Sequence, residues 1–298
     1  MPEDAYTEHR ALLFTVAYEM LGSAADAEDV LQETYLRWRA VDPDTVEHPR
    51  AYLVRTVTRQ SLNHLRAVKA RREEYVGPWL PEPIRTAPDV SDDAILGESV
   101  SMAMLLVLET LNPTERAVFV LHDVFGYTHA EIAASIGKTE VAARQIAHRA
   151  RRHVHARRRR FEPASAATHE VVQRFLLAAA TGEIQALMDL LAPDVVSLSD
   201  GGGKVVAARR PITGHADVAQ FVLGVLRTAP ADTSFEHATY NGMPAARFVV
   251  DGELDCLVAF EIQDGLITGL YATRNPDKLH RADAVRPLDR GGVTPWKP

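Results

Sequence analysis

Between Thr128 and Arg152 the chain reads THAEIAASIGKTEVAARQIAHRARR, an order of residues that admits few structures. Thr128 and Glu131 have the spacing of a capping box, in which hydroxyl and carboxylate each satisfy an N–H that a helix start leaves unpaired. Ala133 is small where two helices cross closely, and Gly137 permits the positive φ of a tight turn. Thr139 suits the N-cap of a second helix carrying Arg144, Gln145, His148, Arg149, Arg151 and Arg152, with Lys138 just ahead of it. A helix-turn-helix follows. Its basic second helix has the chemistry to enter a major groove, where Arg and Gln reach base edges and further Arg grips phosphate. A basic surface helix in an ordinary bundle is the alternative, and it explains neither the caps nor the glycine turn.

The net charge of −7 opposes DNA binding only until it is mapped. From Lys138 to Arg160 there are nine Lys or Arg against one Glu, and from Glu47 to Glu74 seven against three. Local basic faces, not the sum, set the field a phosphate backbone meets. With 298 residues the chain has room for two or three cores. It holds no apolar run long enough to span a membrane, and Glu3 and Asp4 argue against a secretory leader. Cys256 is the only cysteine, which excludes an intrachain disulfide and points to a reducing cytoplasm.

Five segments are expected. Residues 1–75 read as helices, with Leu12, Leu13, Val16, Ala17, Met20 and Leu21 at helical spacing, a cap at Ser23, and a helix from Pro49 that turns Leu53, Val57, Leu62 and Leu65 inward. The outer face of that helix shows Arg55, Arg59, Asn63 and Arg66, then Lys69, Arg71 and Arg72. Residues 76–98, with six prolines or glycines and several acids, read as an extended linker. The linker contains Trp79-Leu80-Pro81-Glu82-Pro83, whose apolar pair suggests docking. Residues 99–160 form a second helical unit, opened by Asn112-Pro113 and ended by the basic run Arg157 to Arg160. Residues 168–285 turn to α+β texture, with a helix over Val171–Leu191, another over Ala216–Leu226, and apolar runs separated by Asn241-Gly242, Asp251-Gly252 and Asp264-Gly265, the signals of antiparallel hairpins. Residues 286–298 form a flexible or docking tail.

Together these residues resemble the extracytoplasmic-function sigma factors of the sigma-70 family, the promoter-recognising subunits of bacterial RNA polymerase. The stretch Asp26 to Trp38 is similar to the family's polymerase-docking helix, and the resemblance implies that Asp26, Glu28, Asp29, Gln32, Glu33, Arg37 and Trp38 meet core RNA polymerase. Pro49 to Arg72 is similar to the promoter-melting helix that reads the −10 element, which assigns Arg55, Arg59, Asn63 and Arg66 to DNA. Arg59 stands where Asn is commoner, and Asn63 where Asp often occurs. Residues 104–158 resemble the domain that reads the −35 element, with Lys138, Thr139, Arg144, Gln145, His148, Arg149, Arg151 and Arg152 at the DNA and Ala143 where Val or Ile is usual. Residues 168–285 resemble a SnoaL-like cone, the α+β fold of ketosteroid isomerase and nuclear transport factor. One subgroup of the family carries that cone fused, marked by Trp79–Pro83, by Asp200-Gly201-Gly202-Gly203-Lys204 and by Asn275-Pro276-Asp277-Lys278-Leu279.

The fold expected is therefore multidomain: two all-α domains and a C-terminal α+β cone. The function implied is promoter-specific transcription initiation in the cytoplasm, regulated in cis by the cone through contacts shaped by those three motifs. A small molecule in the cone is a candidate partner; no cofactor, metal or membrane is expected. A ligand-sensing regulator that binds duplex DNA without polymerase is the alternative, and it has no need of Asp26–Trp38 or Pro49–Arg72. An enzyme tethered to DNA would need a convergent polar pocket, and Asp200, His215, His237, Asp255 and Asp277 lack the spacing of a catalytic set. Asp200 with its three glycines could cradle an anion on backbone N–H groups. His153 and His155, two apart in a basic tail, are expected on a solvated face.

Overall fold

A computed structural model describes residues 2–42, 45–73, 75–86, 93–157 and 162–291. Side chains of Lys69, Arg71 and Arg72, and Pro43, Pro88, Asp89, Asp92 and Arg158–Arg160, lie outside the described residues. The chain divides into two compact units, each assembled from separate stretches of sequence.

The first unit contains residues 2–73, 104–157 and 287–291. Helices α1 (Pro2–Leu21), α2 (Ala24–Arg39) and α3 (Pro49–Glu73) form its first layer. Gly22 turns the chain at φ 67°, and the Ser23 hydroxyl accepts the Asp26 N–H at 3.1 Å to start α2. Leu12, Leu13, Val16, Ala17, Met20 and Leu21 are buried with Leu53, Val57, Leu62 and Leu65, as their spacing predicts. The second layer holds α5 (Met102–Glu109), from Met104 onward, with α6 (Pro113–Phe119), a π-helical turn (Val120–Val124), α7 (His129–Ile136) and α8 (Glu140–His155). Asn112 caps α6, its carboxamide oxygen accepting the Thr114 and Glu115 N–H groups, with Pro113 in the first turn.

The second unit contains residues 75–86, 93–103 and 162–286. Strands β1 (Arg85–Thr86), β2 (Leu191–Asp200), β3 (Ile212–Thr213), β4 (Ser234–Tyr240), β5 (Met243–Val250), β6 (Glu253–Gln263), β7 (Leu266–Thr273) and β8 (Val285–Arg286) make one sheet, ordered β3-β2-β7-β6-β5-β4-β1-β8. Asn241, Asp251 and Asp264 take φ values of 51–55°, each followed by a glycine of positive φ, so all three hairpin signals become tight turns. The hairpins are antiparallel, but β2 pairs with β7 and β1 with β8 in parallel. Helices α9 (Ala166–Thr181), α10 (Ile184–Leu190) and α11 (His215–Arg227) share a core with the sheet, in which Phe175 meets Phe260 edge-on at 5.6 Å.

Two expectations are corrected. The helix foreseen over Val171–Leu191 is two, because Gly182 leaves α9 in the left-handed region at φ 76°. The segment 76–98 is not wholly linker. Arg85 and Thr86 add a strand to the sheet, and Asp93 caps α4 (Ala94–Ser99) by accepting the Ile95 and Leu96 N–H groups. By contact, Met104 onward groups with the helices of the first unit, as do Pro287–Gly291.

Asn241 is the pin that holds this segment to the cone. Fully buried, it accepts the Ile84 N–H at 3.1 Å and donates to the Val100 carbonyl at 2.8 Å. Asn241→Ala strands both backbone groups and places alanine at φ 55°, so it should cost about 2–4 kcal/mol. Calorimetry should show the sheet unit melting earlier, and trypsin should cut after Arg85 sooner than in the parent chain.

Candidate functional site

The helix-turn-helix forms as its local chemistry dictates. The Thr128 N–H donates to the Glu131 carboxylate at 2.8 Å, and the Glu131 N–H returns a bond to the Thr128 hydroxyl at 3.3 Å. Gly137 sits at φ 68°, and the Thr139 hydroxyl accepts the Ala142 N–H to open α8. Ala143, Ile146, Ala147, Ala150 and Val154 face the core. Val141, Arg144, Gln145, His148, Arg149 and Arg152 are exposed, with Lys138 and Thr139 at the head of the helix.

Two cations of α8 are engaged differently from what the sequence suggests. Arg151 is only partly exposed and pairs with Asp123 of the π-helical turn, so it fixes α8 to its neighbour and is not presented to phosphate. Burial is the main reason the Asp123 carboxyl is pushed up, with Arg151 opposing it. Arg149 lies 3.5 Å from Glu115 but remains more than half exposed. The Arg144–Glu140 pair, at 2.9 Å and one helical turn apart, is also exposed; such a pair is worth a few tenths of a kcal/mol and yields to phosphate. His153 is not simply solvated, since its Nε2 lies 2.7 Å from the Thr110 hydroxyl. His155 is exposed.

On α3, Arg55, Arg59, Asn63 and Arg66 share the exposed face. A hollow of about 320 Å³ opens there, lined by Arg37, Tyr52, Arg55, Thr56, Arg59, Gln60 and Asn63. Tyr52 was not singled out from sequence, although it stands three residues before Arg55 on the same face. Arg37, expected at the docking surface, reaches this hollow instead and also pairs with Glu33 at 2.8 Å. Trp38 is 2% exposed and packs against Tyr52 at 5.5 Å, so it belongs to the core and backs the hollow. On the outer side of α2, Asp29, Gln32 and Glu33 are exposed beside Leu36, a leucine left 59% exposed. Asp26 and Glu28 are half-buried against His64 (3.1 Å) and Arg10 (2.6 Å).

The two layers of the helical unit meet through arginines that donate to backbone carbonyls. Arg59 Nε and Nη2 donate to Ser135 and Ala134 at 3.1 and 2.9 Å, capping the C-terminal end of α7. Arg59 is therefore not free for DNA. Arg116, buried and paired with Glu109, donates to the Glu19 carbonyl of α1 at 3.0 Å. Arg290, 6% exposed, donates to Val124 at 3.0 Å, while the Asp289 N–H donates to the Thr15 hydroxyl of α1. Gly291 completes this strap at φ 70°; a Cβ there would stand 2.4 Å from Arg50 Nη2.

In the sheet unit the three short motifs converge on one carboxylate. Asp200, fully buried at the end of β2, accepts from the Tyr75 hydroxyl (2.6 Å), the Leu80 N–H (2.9 Å), the Gly202 N–H (3.0 Å) and Lys278 Nζ (2.7 Å). Lys278 also donates to the Leu80 carbonyl and lies over the Trp79 ring at 4.4 Å. Asn275 donates to the Tyr75 hydroxyl at 2.8 Å and caps α12 (Pro276–Leu279). Lys204 pairs with Asp277 at 2.6 Å. Leu80, Pro81, Glu82 and Pro83 are buried, which excludes a loose tether. The anion cradled by Gly202 in this glycine run is the chain's own Asp200. Burial, reinforced by the bond to Asp200, pushes the Tyr75 hydroxyl well up, so it stays a donor. Tyr75 was missed because nothing in its neighbourhood marks it: its partners lie 125 and 200 positions away.

The other polar candidates of the cone remain apart. Asp255 pairs with Arg274, His215 opens α11, and His237 is exposed on β4. Among the described residues no cluster of three or more His, Cys, Asp or Glu is placed to hold a metal ion. Burial pushes the Cys256 thiol up to about 12.

Lys278→Ala should cost about 3–5 kcal/mol, because it leaves the Asp200 charge buried without its cation. The release of Trp79 from beneath the ammonium should appear as a red shift and enhanced quenching of its fluorescence, with Trp38 and Trp296 replaced by Phe so that only Trp79 reports.

Comparison with known proteins places these parts. Residues 5–72 match the family model for sigma-70 region 2, and residues 101–154 that for sigma-70 region 4. The chain is 39% identical over 293 residues to the ECF RNA polymerase sigma factor SigJ of Mycobacterium tuberculosis, covering 91% of this chain and 90% of that protein. It is 31% identical over 281 residues to the probable ECF RNA polymerase sigma factor SigI of the same species, with 92% and 93% covered. The crystal structure of SigJ superposes with a TM-score of 0.74 at 35% identity, spanning 92% of this chain and 96% of that one. Two helical sigma regions joined to a C-terminal α+β cone are thus common to this chain and to SigJ, and the chain belongs to the extracytoplasmic-function sigma factors.

Proposed function

We propose that this sigma factor brings core RNA polymerase to promoters in the cytoplasm and that its helical unit is held closed until activation, with the fused cone and the strap behind it as regulators in cis. The observation that carries the regulatory half is Arg59. It belongs to the helix assigned to the −10 element, yet its guanidinium is bonded to Ala134 and Ser135 in the first helix of the −35 reader. The two elements are separate stretches of duplex more than one helical turn, roughly 34 Å, apart. One molecule cannot span that distance with Arg59 still on α7, so promoter recognition requires the layers to part.

The remaining surfaces have compatible chemistry. Asp29, Gln32, Glu33 and Leu36 offer polymerase an acidic patch around one apolar contact, the arrangement in which a central desolvated side chain carries most of the energy. The hollow beside Tyr52 suits an unstacked −10 base, with Arg55 and Arg66 close by for backbone phosphate. Lys138, Arg144, Gln145, His148, Arg149 and Arg152 suit the −35 duplex. The cone unit holds residues 75–86 and 93–103, through which the two helical regions are joined in sequence, and its own chain leads into the strap. A strap so tethered acts at high effective concentration. A small molecule in the cone would regulate only by binding the closed and open forms unequally.

In transcription with core RNA polymerase, Arg290→Ala and a chain ending at Arg286 should both raise promoter-dependent output severalfold. Each lost charge-assisted bond is worth about 1.5–3 kcal/mol, and 1.4 kcal/mol is tenfold in the closed-to-open ratio. Unchanged or reduced output from both would refute the strap. No transcript from any version, with duplex still bound in the absence of polymerase, would favour the ligand-sensing regulator.

A further inference from the structure

One side chain on the proposed −35 reading face is unlike its neighbours. Val141 stands in the first turn of α8 and is 66% exposed, whereas the other aliphatic side chains longer than alanine on this helix, Ile146 and Val154, are buried. It lies opposite the core-facing row Ala143, Ile146, Ala147, Ala150 and Val154, and at helical spacing with Arg144, Gln145, His148 and Arg152, all exposed. The stripe is therefore one branched apolar group followed by four polar or cationic ones.

We propose that Val141 is a specificity-determining residue that reads the 5-methyl group of a thymine in the −35 element. This rests on the assignment of α8 to that element. The residues that reach base edges in a helix-turn-helix are those at the N-terminal end of the second helix. Thymine is the base that presents a methyl group in the major groove, and an apolar side chain is its complement. Position 141 is held firmly: the Thr139 N-cap, two residues earlier, accepts the Ala142 N–H, and Glu140 is fastened to Arg144 at 2.9 Å. The cations along the same stripe anchor phosphate and hold the valine against the groove floor, while carrying no methyl preference themselves.

The test uses the full chain assembled with core RNA polymerase. A −35 sequence is first selected by transcription from duplexes randomised at that element. Each thymine of the selected sequence is then replaced by uracil, which removes the methyl group and nothing else. At one position the parent chain should lose about fourfold in promoter affinity, the value of one buried methyl-sized group. Val141→Ala should lose a similar factor on the thymine promoter and nothing further on the uracil promoter. A selected element without thymine overturns the proposal, as does uracil substitution that affects parent and variant equally at every position. In either case the assignment of α8 survives if scrambling the −35 element abolishes output. If scrambling changes nothing, that assignment is itself wrong.

Discussion

The buried carboxylate of Asp200 organises the part of this protein that has no counterpart in a two-domain sigma factor. Removing a carboxylate and an ammonium from water costs several kcal/mol each, and their attraction compensates only if the remaining lone pairs and protons find partners. Here they do. Tyr75, Leu80, Gly202 and Lys278 all donate to the one carboxylate, and Lys278 spends its remaining capacity on the Leu80 carbonyl and the Trp79 ring. The donors come from three distant stretches of chain, so the ion pair is satisfied only when linker, glycine turn and α12 are assembled together. A linker held in this way is a structural part of the cone, which is why it contributes a strand to the sheet.

The helical unit follows a different principle. Its layers are joined by Arg59, Arg116 and Arg290, each donating to carbonyl oxygens. A guanidinium is planar, permanently charged and weakly hydrated, so it can donate to a protein carbonyl and, more strongly, to a nucleic-acid phosphate. The same residue type can close the molecule on itself or hold DNA, and the closed form is built from groups that a promoter or polymerase would compete for. These polar bonds sit beside apolar packing, since Val54 of α3 meets Leu121 and Ile132 of the second layer at the same junction.

Much of this was legible in the sequence wherever the determining interaction is local. The capping box at Thr128, the left-handed turn at Gly137, the Asn112-Pro113 start and the three hairpin turns depend on contacts within a few residues, and all stand where they were read. The buried faces of α1 and α3 followed from periodicity. Roles on exposed faces were less readable. Trp38 is a core side chain because the Tyr52 ring comes to cover it, and Arg151 is withdrawn because Asp123 faces it; a helical pattern carries neither fact. The break at Gly182 was overlooked because apolar residues continue on both sides of it.

The sequence by itself determined the helix-turn-helix with its polar stripe, the capped helix starts, the hairpin turns and the family to which the chain belongs, since short-range sterics and hydrogen bonding leave those local segments one good conformation. Only the tertiary structure decided which polar groups are already spent. Tyr75 with Asp200, Asn241 with Ile84 and Val100, and Arg290 with Val124 are partners more than a hundred positions apart. A long-range hydrogen bond leaves no periodic trace in the chain. It exists because folding brings a donor and an acceptor into a place without water, where neither can remain unpaired.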